Sequence, residues 1–200
     1  MKVKLEERYF KQEELGANER PYQALAKTLQ ETFTLTSVFD AGCRDAKLLK
    51  ALNNLNLNLQ LSGCDYFQWA VDSVEQEVKS FVFQHDLRDK LDIDNKYDLV
   101  TCFEVAEHID PEYCDVFLNN LKSLSNKYVL LTWSEAGGEN DRAHDTHLQH
   151  LNPLKRNDVI ETVGKHMTLN QHLTEQFLKN SNEQPDFLWY WRKSLTVWEI

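Results

Sequence analysis

The sequence predicts an α/β protein built on a parallel sheet with helices on both faces. Five apolar, β-prone runs alternate with segments of helical periodicity, and they lie at residues 37–40, 57–65, 81–87, 97–103 and 128–133. Such alternation predicts parallel strands, because each helix crosses back over the sheet before the next strand begins. The first run also leads through a small-residue turn into a leucine-rich helix, the kind of junction at which open parallel sheets bind ligands.

Residues 1–33 are predicted to form a helical cover over an α/β core at residues 37–200. Pro21 suits the first turn of a helix. An amphipathic helix ending near Phe33 is expected, because apolar residues recur at helical spacing at Tyr22, Leu25, Leu29 and Phe33.

The turn after the first strand contains Gly42. A glycine there lets the backbone approach a ligand closely, so Gly42 is the expected contact. A dinucleotide-binding fold would have three spaced glycines, whereas this chain has Arg44 and Ala46 nearby. The turn alone also fits an ordinary strand-to-helix connection, and the following strands favour the ligand-binding interpretation.

The second and third strands both end on an acid. Asp65 lies 25 positions beyond Asp40, where an acid can accept hydrogen bonds from both hydroxyls of a ribose. Tyr66 follows it and is placed to lie against a base. Asp86 ends the third strand in the same way.

The second half of the chain completes the alternation. Helices are predicted from Pro111, over 153–163 and over 171–179, with a short strand at 167–169. The polar loop at 134–152 is expected to be functional, because it is long, follows a strand, and contains His144, His147 and His150. The aromatic, β-prone tail at 187–199 predicts a terminal strand.

Composition limits the compartment and the partners. The chain has 200 residues, which fit a single domain, and its formal net charge is −10 at pH 7. A nucleic acid is not expected as a partner, because phosphate binding rests on Lys and Arg. Small molecules or peptides are favoured. Four cysteines without a C-x-x-C pair, together with the lack of a leader-like or membrane-spanning apolar run, predict a cytoplasmic protein. A monomer or homodimer is expected.

The order of these residues resembles that of the class I S-adenosylmethionine-dependent methyltransferases. The resemblance covers the chain from about Val38 to the terminal strand. It rests on the segments Asp40-Ala41-Gly42-Cys43, Asp65, His85-Asp86-Leu87, Tyr97-Asp98-Leu99-Val100 and Glu104-Val105-Ala106-Glu107-His108-Ile109. It implies a Rossmann-like sheet of seven strands whose last strand is antiparallel.

The resemblance also implies the cofactor S-adenosyl-L-methionine. The glycine turn would face its methionine end, Asp65 would bind its ribose, and Phe103 would line the methyl-donor site. The implied cofactor-binding residues are Asp40, Ala41, Gly42, Cys43, Asp65, Tyr66, Asp86, Leu87 and Phe103. Arg44 stands where the family commonly has a glycine, and it would either bind the cofactor carboxylate or point to solvent.

Glu104, Glu107 and His108 follow the fourth strand at spacing i, i+3, i+4, which places them on one face of a helical turn. A sulfonium leaves readily, so the protein chiefly positions the acceptor and removes its proton. Histidine titrates in the range that suits this base. We expect His108 and His147 to face each other across the acceptor pocket, with one as the base and Glu104 as a further catalytic residue. A purely structural role is the alternative.

The same three residues, completed by a loop histidine, have the composition of a divalent-metal site. Their Glu-x-x-Glu-His pattern resembles that of small-RNA 2′-O-methyltransferases, which use such a metal. It also resembles many small-molecule and sugar methyltransferases that bind none there. The spacing of the loop histidines also permits a zinc site. No metal is predicted here.

The resemblance implies an enzyme that methylates oxygen or nitrogen on a small molecule, with a sugar or glycan precursor among the candidates. Two alternatives stay open. One is a metal-dependent enzyme similar to RNA 2′-O-methyltransferases. The other is a catalytically inactive, cofactor-binding partner subunit, for which Arg44 is the main support.

Overall fold

The computed structural model describes residues 19–55, 58–134 and 150–200, which build a seven-stranded sheet with the order β3-β2-β1-β4-β5-β7-β6. Strand β7 is antiparallel to both of its neighbours, and the pairings among the first five strands are parallel. This architecture confirms the predicted fold class. The strands are β1 Ser37–Ala41, β2 Gln60–Asp65, β3 Val82–Gln84, β4 Tyr97–Cys102, β5 Ser125–Leu131, β6 Thr168–Leu169 and β7 Thr196–Glu199.

Seven α-helices occur in the described part of the chain, and three short 3-10 turns accompany them. The turns lie at Lys79–Phe81, Ala106–His108 and Pro111–Tyr113. The helices are α1 Arg20–Thr32, α2 Lys47–Asn54, α3 Gln68–Ser73, α4 Cys114–Leu124, α5 Arg156–Gly164, α6 Gln171–Asn182 and α7 Trp189–Ser194.

Two hydrophobic cores lie on opposite faces of the sheet, because successive strand residues point to opposite sides. Val38 and Leu99 face one core, whereas the adjacent Phe39 and Val100 face the other. The first core includes side chains of α1, α2 and α6, and the second includes those of α4 and α5. Helices therefore cover both faces, as predicted.

The carboxylate of Asp98 in β4 joins strands at the edge of the sheet away from the glycine turn. The amide N–H and the hydroxyl of Thr36 both donate to its Oδ2 at 2.7 Å, and Lys127 Nζ lies 2.9 Å from its Oδ1. Burial favours the neutral form, but the hydrogen bonds from Thr36 and Lys127 outweigh it and lower the pKa of Asp98. These hydrogen bonds fix the register of β1 against β4 near the amino ends of the two strands. The register in turn determines where the carboxyl ends of both strands lie.

The predicted amino-terminal helix is confirmed over Arg20–Thr32, with Pro21 in its first turn and Leu25 and Leu29 buried. The assignment of residues 1–200 to a single domain stays a prediction, since residues 1–18 lie outside the described ranges. No helix within the described ranges combines the length and the apolar character needed to span a bilayer.

The predicted terminal strand over 187–199 is wrong in its first half. Trp189–Ser194 forms α7, and only Thr196–Glu199 is a strand. The reason lies in tertiary packing: the ring of Trp191 is 5.8 Å from that of Tyr22 and 5.1 Å from that of Phe103 between centroids. Contacts with distant aromatic residues override the β-propensity of this segment.

Candidate active site

A cavity of about 620 Å³ opens at the carboxyl ends of β1, β2 and β4. Gly42 follows β1, Asp65 ends β2, and Phe103 follows β4; all three line the cavity. Eight of its described lining residues are tyrosine, phenylalanine or tryptophan, five are acidic and two are arginine. Open parallel sheets bind ligands at this edge, so the cavity is the candidate site.

The turn after β1 approaches β2 closely. The N–H groups of Gly42 and Cys43 both donate to the carbonyl oxygen of Cys64, at 2.8 and 2.9 Å. Gly42 has a φ of +82°, and a Cβ added there would lie 2.3 Å from Cγ2 of Val105. Arg44 and Ala46 also have positive φ, at 50° and 60°. The chain therefore keeps a left-handed turn with a single glycine, and Gly42 is the position that tolerates no side chain.

The carboxylate of Asp65 links the turns after β1 and β2. Its Oδ2 accepts the N–H of Arg44 at 2.8 Å, and its Oδ1 accepts the N–H of Phe67 at 2.9 Å. Burial raises the pKa of Asp65, and the two backbone hydrogen bonds oppose that shift. Asp65 thus has a structural role in addition to its position on the cavity wall.

Asp40 is a second buried acid at this edge, with 6% of its surface exposed. The hydroxyl of Thr101 donates to its Oδ1 at 2.7 Å. Burial raises the pKa of Asp40 to about 7, the hydrogen bond from Thr101 opposes this, and the charge of Asp65 adds to it. A cationic ligand close to Asp40 would favour its ionised form.

Arg88 lies on the cavity wall and is not among the predicted site residues. Its guanidinium pairs with Asp86 at 2.9 Å and with Asp110 at 3.0 Å, and its side chain is 3% exposed. It also lies 5.2 Å from the ring centroid of Tyr66. β3 ends at Gln84, so Asp86 lies in the connection after the strand and not at its end as predicted. The pairing of Arg88 with Asp110 depends on the fold and could not be predicted from the sequence.

Glu104 is held on the cavity wall by Thr132. Its N–H donates to the threonine hydroxyl at 2.8 Å, and that hydroxyl donates to Oε1 of Glu104 at 2.8 Å. The φ of Glu104 is +55°, a left-handed conformation that a non-glycine residue adopts only when its surroundings hold it there. The carboxylate of Glu104, two residues after β4, is therefore held in a fixed orientation.

Glu107, His108 and His150 form a compact group. Each offers one ligand atom, and these atoms all lie within 4.8 Å of one another. The two imidazole rings are 5.0 Å apart between centroids. Glu107 is 1% exposed, and its Oε2 has no hydrogen-bond partner within the described ranges. Burial, and then the charge of Glu104, raises the pKa of Glu107 well above its ordinary value.

His150 reaches this group because the chain around it is fixed to the turn after β4. The N–H groups of Leu151 and Asn152 donate to the carbonyl oxygen of Glu107 at 2.7 and 2.9 Å. The indole N–H of Trp133 donates to the carbonyl oxygen of Asn152 at 2.7 Å. His150 was not among the predicted catalytic residues, although the His-x-x-His-x-x-His spacing had marked it. His147 lies outside the described residues.

The structure thus brings most of the predicted site residues to one cavity. Ala41 is an exception: it is the last residue of β1, fully buried, and is not among the lining residues. The predicted residues that line the cavity are Asp40, Gly42, Cys43, Asp65, Tyr66, Asp86, Leu87, Phe103, Glu104 and His108.

The chain was compared with models of protein families, with curated proteins and with solved structures. Residues 39–127 match the family model for a methyltransferase domain. The plantazolicin methyltransferase BamL, solved with a triazolic desmethylPZN analog and SAH, is 16% identical; the match covers 96% of this chain and 88% of that one, with a TM-score of 0.63. Comparison with curated proteins gives no match.

Two further solved structures have the same fold. Magnesium protoporphyrin IX methyltransferase from Synechocystis PCC 6803, solved with SAM, is 16% identical; the match covers 98% of this chain and 85% of that one, with a TM-score of 0.59. The methyltransferase domain of bacterial CtHen1 is 18% identical; the match covers 78% of this chain and 88% of that one, with a TM-score of 0.56.

Residues 39–127 thus match a methyltransferase domain, and the chain has the fold of methyltransferases that were solved with S-adenosylhomocysteine or S-adenosylmethionine. The described residues fit S-adenosylmethionine as a cofactor. The Gly42 turn has no room for a side chain, and a wall rich in carboxylates suits the positive charge of a sulfonium.

Gly42→Ala is expected to lower the free energy of unfolding by about 1–2 kcal/mol, because the new Cβ would meet Val105 and alanine disfavours a positive φ. It is also expected to weaken binding of S-adenosylhomocysteine. Urea denaturation and calorimetry measure the two effects. The matched control is Gly164→Ala, whose added Cβ would have no neighbour within 4 Å. Equal stability and affinity in the two variants would contradict the assigned role of Gly42.

Proposed function

We propose that the protein transfers a methyl group from S-adenosylmethionine to an oxygen or nitrogen of a small molecule. The observation that carries this proposal is the convergence of three strand ends on one cavity. Gly42 and Asp65 lie at the ends of β1 and β2, and the Glu104–His108 segment follows β4. Cofactor and acceptor can therefore meet at the edge of the sheet.

The cofactor lies along the ends of β1, β2 and β3 in this proposal. Its ribose hydroxyls donate to Asp65, since each oxygen of that carboxylate has a second lone pair beyond its backbone hydrogen bond. Its adenine lies near Tyr66 and Leu87, and its methionine end faces the Gly42 turn. Support comes from the position of these residues on one cavity wall.

The chemistry requires little from the protein beyond alignment and proton removal. A lone pair of the acceptor oxygen or nitrogen attacks the methyl carbon, and the carbon–sulfur bond breaks with its electron pair remaining on sulfur. The acceptor proton passes to a ring nitrogen of His108, and S-adenosylhomocysteine and the methylated acceptor leave. Glu104, which Thr132 holds in place, orients the acceptor. His147 stays a predicted second candidate for the base.

The charges of the cavity support a small acceptor over a nucleic acid. Its described lining residues include five acids, two arginines and no lysine. The guanidinium of Arg88 is already paired with Asp86 and Asp110. Since phosphates are bound by cations, this wall would repel a phosphate backbone.

A second candidate function is metal-dependent methyl transfer, and the group of Glu107, His108 and His150 favours it. Two imidazoles and a carboxylate suit a borderline divalent ion, and Oε2 of Glu107 is buried without a partner in the described ranges. Such an ion would polarise the acceptor oxygen as a Lewis acid. His108 would then be a ligand and could not serve as the base.

Asp65 is expected to accept hydrogen bonds from the ribose hydroxyls. Combining changes in the ligand with a change in the protein separates this contact from the structural role of Asp65 in holding the two turns. Wild-type protein should bind S-adenosylhomocysteine about 10-fold or more tightly than its 2′-deoxy or 3′-deoxy analogue, as for a hydrogen bond to a charged group. In Asp65→Asn that difference should shrink. Calorimetry gives all the affinities. An undiminished difference in the variant would contradict the ribose contact.

His108→Gln is expected to lower the rate of methyl transfer about 10²- to 10⁴-fold, because the positioned base is lost, with little change in affinity for S-adenosylhomocysteine. Release of S-adenosylhomocysteine in the presence of cell extract measures the rate. The control is His172→Gln, because His172 is exposed on α6 and does not line the cavity. A turnover close to that of the wild-type protein in His108→Gln would contradict the role of His108 as the general base.

The same assay separates the base from the metal. Under the general-base mechanism a chelator has no effect, and Glu107→Gln retains activity provided that it folds. Under the metal mechanism the chelator abolishes activity, manganese or cobalt restores it, and Glu107→Gln is as damaging as His108→Gln.

A further inference from the structure

We infer, on the basis of the proposed function, that the acceptor is a planar aromatic molecule without negative charge and that helix α7 provides the surface on which its ring stacks. The helix was not foreseen from the sequence. It places Trp189, Tyr190 and Trp191 on the wall of the cavity.

The exposed aromatic side chains of the described ranges are concentrated at this cavity. Trp189 is 59% exposed and Tyr190 is 40% exposed, and both line it. The other exposed large hydrophobic side chain in those ranges is Ile200, at the carboxyl end of the chain. Adjacent exposed apolar side chains at the mouth of a cavity indicate a binding surface.

The helix that carries these rings is anchored on both sides. Trp191 is 4% exposed and packs on Tyr22 of α1 and on Phe103 after β4. The guanidinium of Arg192 donates to the carbonyl oxygen of Ser181 in α6 at 2.6 Å. Trp189 and Tyr190 are therefore presented by a fixed backbone, which reduces the entropy lost when a ligand binds.

The position of α7 relates the stacking surface to the reacting groups. The Trp191 ring is 5.1 Å from that of Phe103, and Phe103 immediately precedes Glu104 in the segment that leads to His108. An acceptor whose ring lies against α7 can therefore present a hydroxyl or amine toward the predicted base. The surface adjoins the reaction site along one continuous cavity wall.

The polar composition of the wall favours an aromatic ring over a sugar. None of the described residues that line the cavity is Ser, Thr, Asn or Gln, whereas five aromatic residues lie on α1, on α7 and directly after β4, away from the proposed adenine position beside Tyr66. Asp86 is paired with Arg88, and Asp65 and Glu104 are assigned to the cofactor and to the reacting group. Few carboxylates therefore remain to accept hydrogen bonds from the several hydroxyls of a sugar, whose burial without partners is costly. A flat ring with a single reacting group loses little hydration and gains stacking with aromatic side chains.

The charge of the wall disfavours an anionic acceptor. Nζ of Lys193 lies 4.6 Å from the ring centroid of Trp189, and Lys193 is not among the described residues that line the cavity. Asp86 is paired with Arg88, and burial favours the neutral form of Glu107. The negative charge of the wall therefore comes from Asp65, Glu104 and the ionised fraction of Asp40, and these groups would repel an added carboxylate inside the cavity.

Three probes test this inference by nuclear magnetic resonance titration with saturating S-adenosylhomocysteine: 2-naphthol, 2-naphthoate and methyl glucoside. We expect 2-naphthol to bind more tightly than 2-naphthoate and the glucoside to bind most weakly. Trp189→Ala should weaken 2-naphthol binding about 3- to 10-fold, Tyr190→Ala should also weaken it, and Trp189→Phe should retain most of the affinity. Ile200→Ala, which removes an exposed hydrophobic side chain away from the cavity, should have no effect.

The inference is overturned if 2-naphthol does not bind, if the glucoside or 2-naphthoate binds as tightly, or if Trp189→Ala leaves 2-naphthol binding unchanged. Calorimetry with S-adenosylhomocysteine on the same samples separates this failure from that of the proposed function. If S-adenosylhomocysteine binds but the three probes do not behave as expected, only the aromatic acceptor is rejected. If the wild-type protein does not bind S-adenosylhomocysteine, both the proposed cofactor site and the inference are rejected.

Discussion

The carboxylate of Asp65 holds together the two turns on which the site depends. It accepts one backbone N–H from the turn after β1 and one from the turn after β2, while the carbonyl of Cys64 accepts two N–H groups from the first turn. These four hydrogen bonds fix a left-handed loop with a single glycine. A buried carboxylate without such donors would be costly, so the acid and the loop conformation depend on each other.

The sequence was sufficient for the residues whose position follows from topology. Gly42, Asp65 and Phe103 lie at or just beyond strand ends, and the carboxyl ends of parallel strands meet at one edge of the sheet. Asp86 reached the cavity for the same reason, although its partner Arg88 was missed.

The parts that were missed depend on contacts between distant segments. Helix α7 forms where aromatic residues predicted a strand, because Trp191 packs on Tyr22 and Phe103, which lie far away in sequence. His150 joins His108 only because the chain beside it is hydrogen-bonded to the carbonyl of Glu107. Local propensity contains no information about such contacts.

The cavity therefore has two chemical regions. Its acidic part, with Asp40 and Asp65 at the ends of β1 and β2, suits a cofactor that carries a sulfonium and an ammonium group, and Tyr66, Phe67 and Trp69 adjoin it. Its aromatic part consists of the side chains that α1 and α7 contribute to the wall. Glu104 and His108 follow β4 and line the same cavity. In this account, the electrostatics of the acidic part bind the cofactor, and the aromatic part selects the acceptor.

The most direct test of this account is the number of protons released when S-adenosylhomocysteine binds at pH 7, measured by calorimetry in buffers of different ionisation enthalpy. Burial raises the pKa of Asp40 to about 7, so a fraction of these carboxyls is protonated at pH 7 before binding. A cofactor ammonium beside the Gly42 turn would lower that pKa, and the account predicts a net release of protons that declines at higher pH and is smaller in Asp40→Asn than in the wild-type protein. Binding without proton release, or the same release in Asp40→Asn, would contradict the account.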